Sequence, residues 1–142
     1  MFEIIDGACT APKEARAEMP CCGVLATAVF AGAPFNEVWK AFELLQKRPG
    51  KWRGATYDWQ RKRVLEGLGV KYDVLKDVAK LNCTVGTFAD WYAKPGVMYC
   101  IGVRRHVVTL CDGIVTDQTA SCHWSEHRNK RSHIISVWER TA

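Results

Sequence analysis

The chain contains no Cys-x-x-Cys pair, no internal repeat, no low-complexity linker and no apolar run long enough for a bilayer. Each absence removes a class of protein. Without paired cysteines at short spacing, a zinc ribbon lacks its ligands. The seven cysteines are odd in number and scattered apart from Cys21-Cys22, a poor disulfide framework that leaves at least one thiol unpaired in a monomer. The apolar run 19–33 follows Glu14, Arg16 and Glu18 and is stopped by Pro34. It therefore starts too late for a secretory leader and is too short for a membrane span. These absences together lead us to expect a soluble, cytoplasmic protein in a reducing compartment, with no membrane contact.

What is present is an ordinary globular composition, 48% hydrophobic and 25% charged over 142 residues, a length that suits one domain with a real core. The net charge of +5 is uneven: −3 over residues 1–46, +6 over 47–80 and +2 over the remainder. Hydrophobic periodicity gives a short strand at 2–5, an irregular stretch at 6–19 and a helix over about 22–31 ended by Gly32 and Pro34. A second helix runs from an Asn36 cap through Gln46, a third through about Leu68, and a short amphipathic piece covers 72–80. Thr84 caps a helix over 85–92. After Lys94-Pro95-Gly96 the period changes to that of strands: 97–103, 106–111, 114–117 and 134–138, with 119–132 as polar loop. Helices first and then an antiparallel sheet indicate the α+β class, not alternating βαβ units.

Two stretches carry chemistry. Cys22 opens an apolar helix, where unpaired N–H groups and the positive end of the helix dipole favour a thiolate. The Asp112-Gly113 turn fixes the second. As a two-residue hairpin it sets Cys111 opposite Ile114, Leu110 opposite Val115, Thr109 opposite Thr116 and Val108 opposite Asp117. His106 leaves the same face as Val108, so His106 and Asp117 become diagonal neighbours. A carboxylate beside an imidazole fixes its tautomer and stabilises the imidazolium.

Three blocks carry a family likeness: Cys22-Gly23-Val24-Leu25-Ala26-Thr27-Ala28, Thr84-Val85-Gly86-Thr87-Phe88, and Gly102 to Val108 with Asp112 to Asp117. The pattern resembles the papain-like cysteine peptidase superfamily. The likeness is to its compact members, the bacteriocin-processing peptidase domains and the small papain-like proteins of bacteriophages. It covers roughly residues 18–118. The resemblance implies one domain over 1–142, with a helical part at about 20–92 packed on a small antiparallel sheet at about 97–138. It makes Cys22 the nucleophile, His106 the general base and acid, and Asp117 the orienter of a hydrolase acting on a peptide or amide bond. No cofactor is implied, and the partner is a protein or peptide substrate or a host protein. The chain departs from the family pattern in two ways. Residues 13–20 hold no Gln or Asn to serve as an oxyanion donor, and Cys21 adjoins Cys22 as an alternative nucleophile, although the register of Gly23-Val24-x-Ala-x-Ala favours Cys22. The alternative function is a papain-like binding protein without turnover, a phage-type inhibitor of a host factor or a nucleic-acid binder.

Two further features stand outside that pattern. His123 and His127 stand at helical zinc spacing near Cys122 and His133, but His-Trp-Ser-Glu-His lacks the glutamate placement of a zinc peptidase helix, and its polar neighbours read as a solvated loop, so no metal site is assigned. Residues 47–63 interleave Lys47, Arg48, Lys51, Arg53, Arg61, Lys62 and Arg63 with Trp52, Tyr57 and Trp59. Such a stretch suits phosphates and bases, or else is a solvated helix face with its aromatics packed inward.

Overall fold

The computed structural model describes residues 21–141, so the strand expected over 2–5 and the irregular stretch 6–19 lie outside the described residues. The chain divides into two compact units, Met1–Val70 and Lys71–Ala142. The helical part expected over about 20–92 is shared between them, and the second unit holds the whole sheet. The class is α+β.

The first unit contains α1 (Cys22–Ala31), α2 (Phe35–Glu43), a 3₁₀ turn (Pro49–Lys51) and α3 (Asp58–Gly67). Every residue of α1 from Gly23 to Phe30 is buried. An apolar surface on all sides makes α1 the central helix of its unit, with α2 and α3 both packed on it. α2 begins one residue before the expected cap. Pro34 has extended backbone, and its carbonyl accepts the N–H of Val38 at 3.2 Å. α2 buries Phe35, Val38 and Phe42, while its Trp39 ring lies 4.5 Å from that of Trp52. It stops at Glu43, short of Gln46, and the Gln46 side chain turns back to donate to the Phe42 carbonyl at 2.9 Å. At the start of α3, Gln60 Oε1 accepts the Tyr57 N–H at 3.0 Å, satisfying one of the orphan donors of the helix end.

The second unit contains β1 (Tyr72–Val74), α4 (Lys76–Lys80), α5 (Val85–Trp91), β2 (Tyr99–Val103), β3 (His106–Cys111), β4 (Ile114–Thr116), β5 (Ser121–His123), a 3₁₀ turn (Trp124–Glu126) and β6 (Ser136–Arg140). The six strands form one sheet in the order β1-β6-β2-β3-β4-β5, with every neighbouring pair antiparallel. Ile101 lies opposite Val108 on one side and Val137 on the other. These join Leu110, Val115 and Tyr99, and Val85 and Phe88 of α5 pack against them. Fully burying side chains of this size stabilises the unit by about 1.5–3 kcal/mol each. Thr84 caps α5 as expected, its Oγ1 accepting the Thr87 N–H at 3.1 Å.

Further segments differ from expectation, and the strand expected over 97–103 begins only at Tyr99. Residues 72–80 are not one amphipathic helix: Tyr72–Val74 adds to β6 as an edge strand, with the Tyr72 ring stacked 5.3 Å from Trp138, and the helix begins only at Lys76. The loop expected over 119–132 contains β5, paired with β4, and a 3₁₀ turn. The last strand is 136–140 instead of 134–138, because Ile134 leaves the ladder and its amide bonds the Cys83 carbonyl at 3.0 Å. Among the described residues no helix is long and apolar enough to cross a membrane.

Candidate active site

The β3–β4 hairpin forms in the expected register, with Cys111 opposite Ile114, Leu110 opposite Val115 and Thr109 opposite Thr116. Its two-residue turn has positive φ at both Asp112 (50°) and Gly113 (80°), the conformation that matches the twist of the flanking strands. Gly113 adopts it without strain because it lacks a Cβ. β4 ends at Thr116, one residue before Asp117. The hairpin brings the two predicted residues together: His106 Nε2 lies 2.8 Å from Asp117 Oδ2.

Asp117 is removed from water, with a side chain 0% exposed, against 14% for His106. Its other oxygen, Oδ1, accepts the Thr119 N–H at 2.9 Å, the Thr119 hydroxyl at 2.8 Å and the Ala120 N–H at 2.9 Å. Burial acts to raise the carboxyl pKa, but His106 and the donors of Thr119 and Ala120 prevail and hold it well below the ordinary carboxylate range. The carboxylate is therefore ionised at neutral pH and can only accept hydrogen bonds. It follows that His106 Nε2 carries a proton, and the lone pair of the neutral ring resides on Nδ1. The dyad thus defines which nitrogen is free to take up a proton.

A second histidine was not anticipated. His127 is 1% exposed, and its Nε2 lies 3.5 Å from Asp117 Oδ2, longer than a good hydrogen bond. Its Nδ1 accepts the Asn129 N–H at 3.0 Å, which puts the proton of the neutral ring on Nε2, facing the carboxylate. Burial pushes the His127 pKa down, against the pull of Asp117. The Arg128 guanidinium completes the positive surroundings, its Nε 3.8 Å from Oδ2. The solvated loop read from the sequence therefore carries one buried ring. It is anchored by carbonyls of Lys130 and Ser132, which accept the Gly86 and Val85 amides at 2.9 and 3.0 Å. His123 parts from His127: it is exposed, and its Nδ1 lies 2.8 Å from the Ser125 hydroxyl. No group of three or more His, Cys, Asp or Glu among the described residues is arranged to hold a metal ion. The Asp-x-Thr spacing of Asp117 and Thr119 is a recognisable turn signal; for His127 the sequence offers none.

Cys22 stands in the first unit as the first residue of α1, half-buried, while Cys21 before it is 1% exposed. Burial, with Cys22 adjacent, raises the Cys21 pKa. The start of α1 has no side-chain cap. Gly23 is required there, because a Cβ at that position would fall 1.9 Å from Thr56 Oγ1 and 3.2 Å from Arg61 Nη1. Arg61 is buried, donates to Thr56 Oγ1 at 2.8 Å and pairs with Asp58. The Arg61 guanidinium, paired with Asp58, thus lies beside Gly23, the residue after Cys22. Other thiols are set against reactivity. Burial raises the Cys83 pKa, and burial together with the Asp112 carboxylate pushes Cys111 up to about 11.

No family model matches this chain, and no curated protein or solved structure matches it.

Proposed function

We propose that the protein is a papain-like cysteine hydrolase acting on a peptide or amide bond, with Cys22 as nucleophile, His106 as base and acid, and Asp117 as orienter. The observation that carries this reading is the 2.8 Å contact of His106 Nε2 with a buried, ionised Asp117. It gives the imidazole a defined tautomer and a stabilised protonated form, the two properties a nucleophile's base needs. His106 Nδ1 takes the Cys22 proton, and the thiolate adds to the substrate carbonyl. N–H groups at the start of α1 stabilise the oxyanion. Collapse of the intermediate expels the amine, which leaves with the proton from Nδ1, and forms a thioester. Water, deprotonated by Nδ1, then hydrolyses the thioester and restores the thiol.

Thiol alkylation followed by peptide mapping tests the assignment. Cys22 is expected to label near neutral pH well ahead of Cys21, Cys83 and Cys111, whose pKa values are raised. His106→Ala is expected to slow labelling of Cys22 by about 10²-fold or more, within the range of general-base contributions. If Cys22 labels no faster than the half-buried Cys122, or equally fast with alanine at 106, the hydrolase reading falls and a binding protein without turnover takes its place.

A further inference from the structure

The first unit holds a cleft of about 520 Å³ that the hydrolase reading does not use. Lys47, Arg48, Lys51, Trp52, Trp59 and Gln60 line it, and no acidic side chain is among the lining residues. Its size falls within the range of small-ligand sites, roughly 300–1,000 Å³.

The two indoles differ. Trp52 is fixed, ring against ring with Trp39 at 4.5 Å and Phe42 at 6.4 Å, and its Nε1 donates to the Ala55 carbonyl at 2.7 Å. Trp59 is 56% exposed and has no ring neighbour among the described residues. An indole held in this way on the first turn of α3 loses hydrophobic free energy to water unless something stacks on it. The cations show the same incompleteness. Lys47, Arg48 and Lys51 are exposed and have no carboxylate within ion-pair distance among the described residues. The acidic residue next to Trp59, Asp58, is engaged by Arg61. Gln60 Oε1 is committed to the Tyr57 amide, so its side chain offers a guest only its NH₂ donor. Every charged group lining the cleft is thus a cation, beside an open aromatic face; Leu45 and Gln46 complete the lining, and Gln46, whose NH₂ donates to the Phe42 carbonyl, keeps its Oε1 as an acceptor. Exposed Arg53, Lys62 and Arg63 continue the positive charge along the same segment, further than one phosphate needs.

We propose that this cleft binds single-stranded nucleic acid, with a base stacked on Trp59 and the flanking phosphates on Lys47, Arg48 and Lys51. An acidic peptide would satisfy the cations but leave the indole face unused. The proposal stands apart from the hydrolase reading and does not depend on Cys22.

Fluorescence anisotropy of a labelled oligothymidylate with the whole chain tests it. Binding is expected to weaken with salt, log K falling with log salt by a slope of about 2, from three lining cations at roughly 0.7 each on a single strand. Trp59→Ala is expected to weaken binding about tenfold, whereas Trp59→Phe, which keeps a ring, retains most of it. Replacing Lys47, Arg48 and Lys51 with alanine is expected to remove most of the slope. All four side chains are at the surface, so circular dichroism should show the variants folded. Absence of binding at low salt overturns the proposal. So does binding that ignores Trp59→Ala, or equal competition by polyglutamate, which would make the cleft a site for acidic protein.

Discussion

Gly23 in the first unit and Asp117 in the second are both tightly enclosed, and the enclosures differ in kind. At Gly23 the enclosure is one of volume: Thr56 and Arg61 occupy the space a Cβ would take. At Asp117 it is one of charge: a carboxylate without solvent contact is surrounded by His106, His127, Arg128, Thr119 and Ala120. A steric enclosure costs the same at any pH, whereas an electrostatic one exists only while its groups hold their protonation states. The first unit therefore fixes the start of α1 by packing, and the second holds its imidazole by charge.

The comparison breaks most visibly at Asp117. Asp117→Ala strands the histidine and amide donors in a dry site, and a loss of about 3–5 kcal/mol in urea unfolding at neutral pH is expected. Because the folded-state pKa of Asp117 lies below the ordinary aspartate value of 3.8, its contribution is present above that pH and is lost as pH falls through the folded value. The gap between the variant and the parent chain should accordingly narrow in strong acid. Gly23→Ala should cost less, about 1–3 kcal/mol, as Thr56 and the Arg61 guanidinium are displaced. Its cost should be flat with pH, and a pH-dependent cost would show that the enclosure at α1 is electrostatic after all.

The smallest effect belongs to His127. Its folded-state pKa lies below the ordinary histidine value of 6.5, so the unfolded chain binds the proton first and stability declines as pH falls below about 6.5. The slope should reach at most about 1.4 kcal/mol per pH unit. His127→Gln, which cannot titrate, should lessen that decline when urea midpoints are compared from about pH 7.5 to about pH 5.

Much of the candidate site in the second unit was legible because a two-residue turn leaves no freedom of register. Once Asp112-Gly113 is read as a hairpin, His106 and Asp117 follow by counting. α1 was legible for a related reason: an unbroken run of small apolar residues between Cys22 and Gly32 admits few other structures. What escaped has distant causes. Tyr72–Val74 is too short to declare itself and becomes a strand by pairing with β6, far along the chain, where Trp138 also stacks on Tyr72. β5 is similar, three residues stabilised by β4. Arg61 read as one charge among many in a basic helix, and the pattern does not reveal that it is buried, held by Thr56 and by the exposed carboxylate of Asp58. His127 was hidden by its polar neighbours, since burial of one ring in a loop depends on a carboxylate that is adjacent in space and not in pattern.

The turn at Asp117 has a consequence for how relatives of this chain should be read. The same carboxylate that touches His106 also accepts the Thr119 and Ala120 amides, and the Asp117 N–H donates to the Ala120 carbonyl at 2.9 Å, closing the connection between β4 and β5. Forming that connection and orienting the imidazole are one event. A descendant that abandoned chemistry would still need the aspartate to make its turn. Aspartate at this position therefore marks the architecture, and under the proposed hydrolase reading the positions that would report on turnover are His106 and Cys22.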